Sequence, residues 1–319
     1  MDPAALQRRL LHLGGAADDS SGGGVESHWG NLGLWPGTHA GTAPPTAPSG
    51  TPPAHAHGHT HADTYAGACR ALALAVGTAA GLQPGQRVLS LACGAGDELL
   101  LWAGHFSAAQ VLGVEIDPQA AALAARRAAG QPAIQVLCRS ALALQGEPTL
   151  GGPFDAIVCV DAAYHLAPRR SLLAALLPRL RPGGRLAYAD LTLRAAGASP
   201  LLRAAARLCG VPAADLLPLA QQLQRLQALG YTDVQGQALD EAVLGGFARF
   251  AARHAAAHGL RPWQAGWRRV AATAALIPPC RAAGLGYALL SAAAPQPSRP
   301  ATTAAERTAL SSSGTPACA

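Results

Sequence analysis

The stretch Arg87-Val-Leu-Ser-Leu-Ala-Cys-Gly-Ala-Gly-Asp97 decides the fold. Its first half, Arg87–Ala92, is an apolar run short enough for a buried strand. Its second half is a glycine-rich turn opening onto a helix over Asp97–His105. Working outward, the same alternation repeats. A helix over Tyr65–Thr78 is stopped by Gly81-Leu-Gln-Pro-Gly85. Downstream come a strand at Gln110–Ile116, a helix at Pro118–Ala129 with Pro in its first turn, and a strand at Ile134–Cys138. A fourth strand at Phe154–Val160 precedes a helix at Arg170–Arg179. The turn Arg181-Pro-Gly-Gly184 then leads into a strand at Arg185–Leu193. Strands alternating with helices imply right-handed βαβ units and a parallel sheet.

After Leu193 the rhythm changes. A helix-rich stretch runs through Gly230, a strand follows at Thr232–Ala238, helical patterns cover 240–282, and Leu285–Ala292 reads as a last strand. The expected architecture is α/β: a mostly parallel, seven-stranded sheet flanked by helices within 63–294. Helical insertions at about 194–230 and 240–282 would lie on the substrate side. Residues 1–35 read as an N-terminal flap segment, 36–62 as a flexible linker rich in Pro, Gly, Thr and His, and 295–319 as a disordered tail.

Composition narrows the function classes. Half of the 319 residues are hydrophobic and 13% are charged, enough apolar surface for one sizeable core. None of the 24 basic residues is Lys, and the arginines stand singly or in pairs such as Arg126-Arg127, Arg169-Arg170 and Arg268-Arg269. No basic stripe is interleaved with aromatics, so no nucleic-acid partner is expected, and most arginines read as solvated helix faces. Seven cysteines form no close pair, which favours a reducing compartment. Cys93, Cys138 and Cys159, in or beside apolar runs, read as small buried hydrophobes. The beginning of the chain does not read as a secretory signal, and no apolar run reaches the ~18 residues of a membrane span. A cytoplasmic protein is the expectation.

Two features point to a ligand. Glycines in a strand-to-helix turn let a ligand approach the backbone, and the helix N-terminus offers free N–H groups. The second strand then ends in Glu115, 21 positions beyond Gly94, where a carboxylate can accept two hydrogen bonds from a ribose diol. Together they indicate an adenosine-containing ligand. A dinucleotide fingerprint would place its third glycine at position 99, where this chain has Leu99, which disfavours a nicotinamide enzyme.

Four segments in order, RVLSLACGAGD, LGVEID, FDAIVCVDAAYHL and LRPGGRLAYAD, resemble the motifs of class I, Rossmann-like S-adenosylmethionine-dependent methyltransferases over about Arg87–Asp190. HWGNLGLW and the segment from Tyr65 resemble the N-terminal part of small-molecule and lipid methyltransferases of the sterol, tocopherol and phosphoethanolamine kind. The resemblance implies S-adenosylmethionine as cosubstrate and a small-molecule acceptor. It implies that Ala92, Cys93, Gly94, Gly96 and Asp97 hold the methionine end, Glu115 and Ile116 the ribose side, and Ser140 and Ala141 the adenine. The chain departs from the family pattern at Ser90 (usually Asp), Ala92 (usually Gly) and Ser140 (often acidic). Those departures leave open a catalytically silent, cofactor-binding scaffold.

A sulfonium methyl is already activated, so transfer needs in-line positioning and dryness more than reactive side chains. Asp161, Tyr164 and His165 follow the fourth strand, at the edge where open α/β sheets present their sites. His165 has the intrinsic pKa of a general base, with Tyr164 beside it, and Asp161 reads as a cofactor or substrate contact. His55, His57, His59 and His61 alternate in a low-complexity setting and are read as linker, with no metal site expected. Trp29 and Trp35 suit either an anchor or a flap over the cofactor. Trp263 and Trp267, four apart, would share a buried helix face.

Overall fold

The computed structural model describes residues 28–36, 64–144, 150–264 and 266–296. Nearly all of the expected linker and tail, the histidines at 55–61 included, lie outside them.

Seven strands form one sheet: β1 (Arg87–Leu91), β2 (Gln110–Glu115), β3 (Ile134–Cys138), β4 (Phe154–Cys159), β5 (Leu180–Leu193), β6 (Thr232–Ala238) and β7 (Leu285–Ala293). Their order is β3-β2-β1-β4-β5-β7-β6. β1 to β5 are parallel, and β7 runs antiparallel to both β5 and β6. The expected fold class therefore holds. The chain reverses direction at β1, stepping outward through β2 and β3 and then back through β4. That places a crevice above the carboxyl ends of β1 and β4.

The helices are α1 (Tyr65–Ala79), α2 (Asp97–Gly104), α3 (Pro118–Arg127), α4 (Arg169–Leu176), α5 (Pro200–Leu208), α6 (Leu219–Ala228), α7 (Gly246–His258) and α8 (Arg268–Ala282). Local chemistry sets their starts. Thr64 caps α1 by accepting from Gly67 N–H, Asp117 caps α3 by accepting from Gln119 and Ala120, and Ser199 caps α5, with Pro in the first turn of α3 and α5. One core layer packs α1, α2, α7 and α8 on one face of the sheet around Leu72, Val88, Trp102 and Phe247. The other packs α4 and α6 around Leu89, Phe154, Ile157 and Leu226.

Leu99 shows why a third loop glycine is dispensable. Its side chain is fully buried, and the close approach is provided from the other side by Gly113 of β2. A Cβ there would lie 2.6 Å from Leu99 Cδ1 and 2.8 Å from Cys93 Sγ.

Several expectations are corrected. The Arg181–Gly184 turn is a bulge inside β5, because Arg181–Gly184 stays close enough to β4 to continue the strand. A Cβ on Gly184 would meet three backbone oxygens at 2.9–3.1 Å. Of the helices in 194–230, α6 is an ordinary cover of the sheet, and only α5 stands beyond it. α5 forms a small third cluster with Tyr164, Leu193, Val211, Leu216 and Cys280. Cys93 and Cys159 are buried but Cys138, at the edge-strand end, is exposed. Trp267 is buried at the start of α8, whereas Trp263 lies in the preceding turn, 73% exposed, so the two share no helix face.

Candidate active site

The loop Ala92–Gly96 follows β1 and enters α2 through three left-handed residues, Ala92 (φ 54°), Gly94 (φ 52°) and Gly96 (φ 87°). Ala92 takes the conformation that the usual glycine would take there, at a cost of about 1–2 kcal/mol. Gly96 is pressed against Ala124 of α3. A Cβ on Gly94 would meet nothing within 4 Å, so the backbone there faces open space that a ligand can enter.

Glu115 stands beside this opening, 7% exposed. Its Oε2 accepts from Gly94 N–H at 2.9 Å and its Oε1 from Asp117 N–H at 2.9 Å, which fixes the carboxylate and leaves lone pairs for a diol. Ile116 follows it, 55% exposed, and Leu142, 43% exposed, stands beyond the end of neighbouring β3. Large apolar side chains left in water at adjacent strand ends suit the two faces of a planar base. Ile116 was expected at the site. Leu142 was missed, although its place after Ser140-Ala141 could have signalled it. Ser140 itself caps the turn Ala141–Ala143, its hydroxyl accepting from Leu142 N–H at 3.2 Å.

Asp97 is part of a network invisible in the sequence. Arg127, at the end of α3, donates to both of its oxygens at 2.8 Å and to Ala95 O at 2.7 Å, and His28 N–H also points at the carboxylate. Arg127 is thus no solvated helix face. Arg169 is not one either: it is buried in an ion pair with Asp190 of β5, and its backbone N–H donates to Asp215 Oδ2 at 2.9 Å.

The segment 28–36 crosses the carboxyl edge as a strap between two carboxylates. At one end His28 meets Asp97. Four residues on, Leu32 N–H donates to Asp161 Oδ2 at 2.6 Å. Asn31 bonds Cys69 O, while Tyr65 hydroxyl and Cys69 thiol donate to Asn31 O. Trp35 is buried, stacked on Phe250 at 4.5 Å; its indole N–H donates to Leu32 O and its backbone N–H to Ala242 O. That carbonyl belongs to a π-turn, Glu241–Gly245, leading into α7, where Gly246 lacks the Cβ that Trp35 would strike. Trp35 is therefore an anchor of the strap.

Asp161 is committed to the protein rather than turned toward a ligand. Besides Leu32 it accepts from Tyr287 hydroxyl at 2.6 Å and from Tyr164. Burial drives its pKa up to about 6, against these hydrogen bonds, which favour the charged form. Its φ of 52° is the left-handed turn that aims the carboxyl back at the strap. Tyr164 is buried, with its own pKa raised by burial and then by Asp161.

His165 ends the turn Ala163–His165, edge-on to Tyr164 at 4.3 Å. Both ring nitrogens are shielded from solvent without a hydrogen-bonding partner of good geometry. Burial lowers its pKa to about 4, so the ring is neutral near pH 7. Among the described residues no cluster of His, Cys, Asp and Glu could hold a metal ion, and no helix is long and apolar enough to cross a membrane.

Comparison with known proteins agrees with this geometry. Residues 89–186, running from β1 into β5, match the family model described as Methyltransferase domain. The span reaches into all four motif segments, and the resemblance to class I S-adenosylmethionine-dependent methyltransferases stands; the finer sterol and tocopherol likeness is a resemblance alone. The chain is 28% identical over 177 residues to erythromycin 3''-O-methyltransferase of Saccharopolyspora erythraea, covering 52% of this chain and 57% of that protein. The chain thus spans little more than half the length of that relative. Among solved structures it resembles geranyl diphosphate C-methyltransferase from Streptomyces coelicolor A3(2), at TM-score 0.64 and 14% identity over 92% of this chain and 97% of the other. It also resembles the [4+2]-cyclase SpnF, at TM-score 0.58 and 24% identity over 73% and 84%. These two likenesses are of fold.

Proposed function

We propose that the protein is an S-adenosylmethionine-dependent methyltransferase acting on a small, hydrophobic or lipid-like acceptor. The observation that carries the reading is the open backbone at Gly94 beside the fixed carboxylate of Glu115 and the exposed Ile116 and Leu142. A glycine cradle, a diol acceptor and two apolar plates are what an adenosyl ligand with a polar tail needs.

When bound, S-adenosylmethionine supplies a methyl group already activated on a sulfonium. Ala92, Cys93, Gly94, Gly96 and Asp97 hold its methionine end, with Arg127 fixing Asp97. Glu115 binds the ribose hydroxyls, and Ile116 and Leu142 flank the base near Ser140 and Ala141. The strap 28–36, tied down at Asp161, excludes water from the reacting end. His165, neutral at working pH, takes the proton that a neutral acceptor must lose, and Tyr164 packs against its ring. The acceptor enters beneath α5, whose cluster with Tyr164 is apolar and favours an uncharged molecule. The acceptor class and the role of His165 rest on this placement.

A silent scaffold gains little support: Ala92 keeps the loop conformation, and Ser90 is bonded to the carboxyl of Glu98. The test is ligand-dependent melting. S-adenosylhomocysteine at a hundredfold over Kd should stabilise the fold by about 2.7 kcal/mol, and NAD should not. An equal or larger shift with NAD would overturn the assignment.

A further inference from the structure

Glu98 has no part in the roles above, yet it is a buried acid. It stands in the first turn of α2, 6% exposed, directly behind the ligand loop. Ser90, on β1, shares a hydrogen bond with Glu98 Oε1 and accepts from Trp102 Nε1 at 3.1 Å. The chain Trp102–Ser90–Glu98 therefore closes the base of the loop, joining its strand to its helix. Glu98 thus brings a carboxyl from the helix to Ser90 on the strand.

Three carboxyls surround the loop, and two are compensated. Asp97 is paired with Arg127 and faces the strap at His28 N–H, and Glu115 is held by two backbone N–H groups. Glu98 faces the neutral Ser90, the thiols of Cys93 and of Cys159 on β4, and the two carboxylates. Burial, and then Glu115 and Asp97, push its pKa up to about 8. No arginine among the described residues pairs with it.

We propose that Glu98 is a positioning residue that carries a proton when the loop is empty and yields it when a cationic ligand settles there. It thereby separates the positively charged methyl donor from its neutral-sulfur product. The inference rests on the donor reading above. Only a proton moves: the carboxylic O–H bond breaks, the proton passes to solvent, and the carboxylate left behind balances the sulfonium. Once the methyl has gone, the thioether carries no charge and the carboxyl takes a proton back.

The experiment is calorimetric titration of the full chain with S-adenosylmethionine and with S-adenosylhomocysteine from about pH 6.5 to 9, in buffers of different ionisation heat. The ratio of the two Kd values cancels what the ligands share, their amino and carboxylate groups and the titration of Asp161. For a unit charge on the order of 10 Å away at an effective dielectric of about 20, the wild-type ratio should move about tenfold toward the donor as pH rises. Donor binding near pH 7.5 should release a proton that product binding retains. Glu98→Gln, which keeps an acceptor for Ser90, should show a flat ratio and no release. A flat ratio in the wild type would overturn the proposal without recourse to any variant. So would a Glu98→Gln protein that still follows the wild-type curve. Failure of both ligands to bind wild type at any pH would overturn the donor reading and this proposal together.

Discussion

Replacing Asp161 by Asn separates the charge of the strap's anchor from its shape. In the folded chain its carboxyl is raised from 3.8 to about 6, a shift already net of burial and of the bonds from Tyr287, Leu32 and Tyr164. Two units correspond to ~3 kcal/mol between the protonation states. The sign follows from linkage. An acid whose folded pKa is raised contributes stability that is complete below its unfolded pKa and lost as pH rises through about 6. At about pH 8 the wild type thus holds an unfavourable anion, which Asn does not. The amide has one acceptor oxygen for three donors. Leu32 N–H has no alternative and keeps it, while the tyrosines must rotate to accept, at about 1 kcal/mol for a neutral bond lost. Asp161→Asn should therefore gain ~1–2 kcal/mol over wild type near pH 8 and lose ~1 kcal/mol near pH 4.5. Denaturant titrations followed by far-UV circular dichroism at both pH values measure the swing. A difference between variant and wild type that stays constant with pH would refute the reasoning. Affinity for S-adenosylhomocysteine should fall in the stabilised variant, since the charge serves the strap and not the fold.

Glu115→Ala should weaken S-adenosylhomocysteine binding by about 1.5–3 kcal/mol, the range for bonds to a charged acceptor, with the sheet intact by circular dichroism. Gly94→Ala adds a methyl that meets no protein atom but sits at φ 52°, so stability should drop by about 1 kcal/mol while donor affinity, read by calorimetry, drops further. His165→Ala should lower turnover roughly a hundredfold with donor affinity unchanged. Because burial lowers the ring's pKa to about 4, the wild-type rate should show no loss attributable to this group between about pH 6 and 8, and near-normal turnover in the variant would remove His165 from the mechanism.

The sheet was legible because its signals are local. Apolar runs of strand length separated by capped helices appear in a window of a dozen residues, and Asp117-Pro118 announces its helix outright. The antiparallel course of β7 was not legible, since Leu285–Ala293 is equally apolar whichever way it runs between β5 and β6. The bulge at Arg181–Gly184 escaped for the opposite reason: Pro-Gly-Gly reads as a turn, and only the approach of β4 backbone to Gly184 shows why the strand continues through it.

The site divides along the same line. Gly94, Gly96 and Glu115 could be read because backbone freedom and a carboxylate at a strand end carry meaning in isolation. Arg127, Arg169 and Glu98 could not, because what makes each consequential is a partner from elsewhere in the chain or the loss of water. Asp161 and His165 lie between these cases. Their position after β4 was visible, but burial assigns their protonation, raising the acid to about 6 and lowering the imidazole to about 4. The pair is thereby inverted from its solution order: the carboxyl, not the ring, titrates nearest neutrality. The inversion suits the division of labour proposed above, in which His165 starts neutral and becomes charged only as it takes up the acceptor's proton. Asp161, held by three donors, spends its charge on the strap that the proposed reading assigns to excluding water.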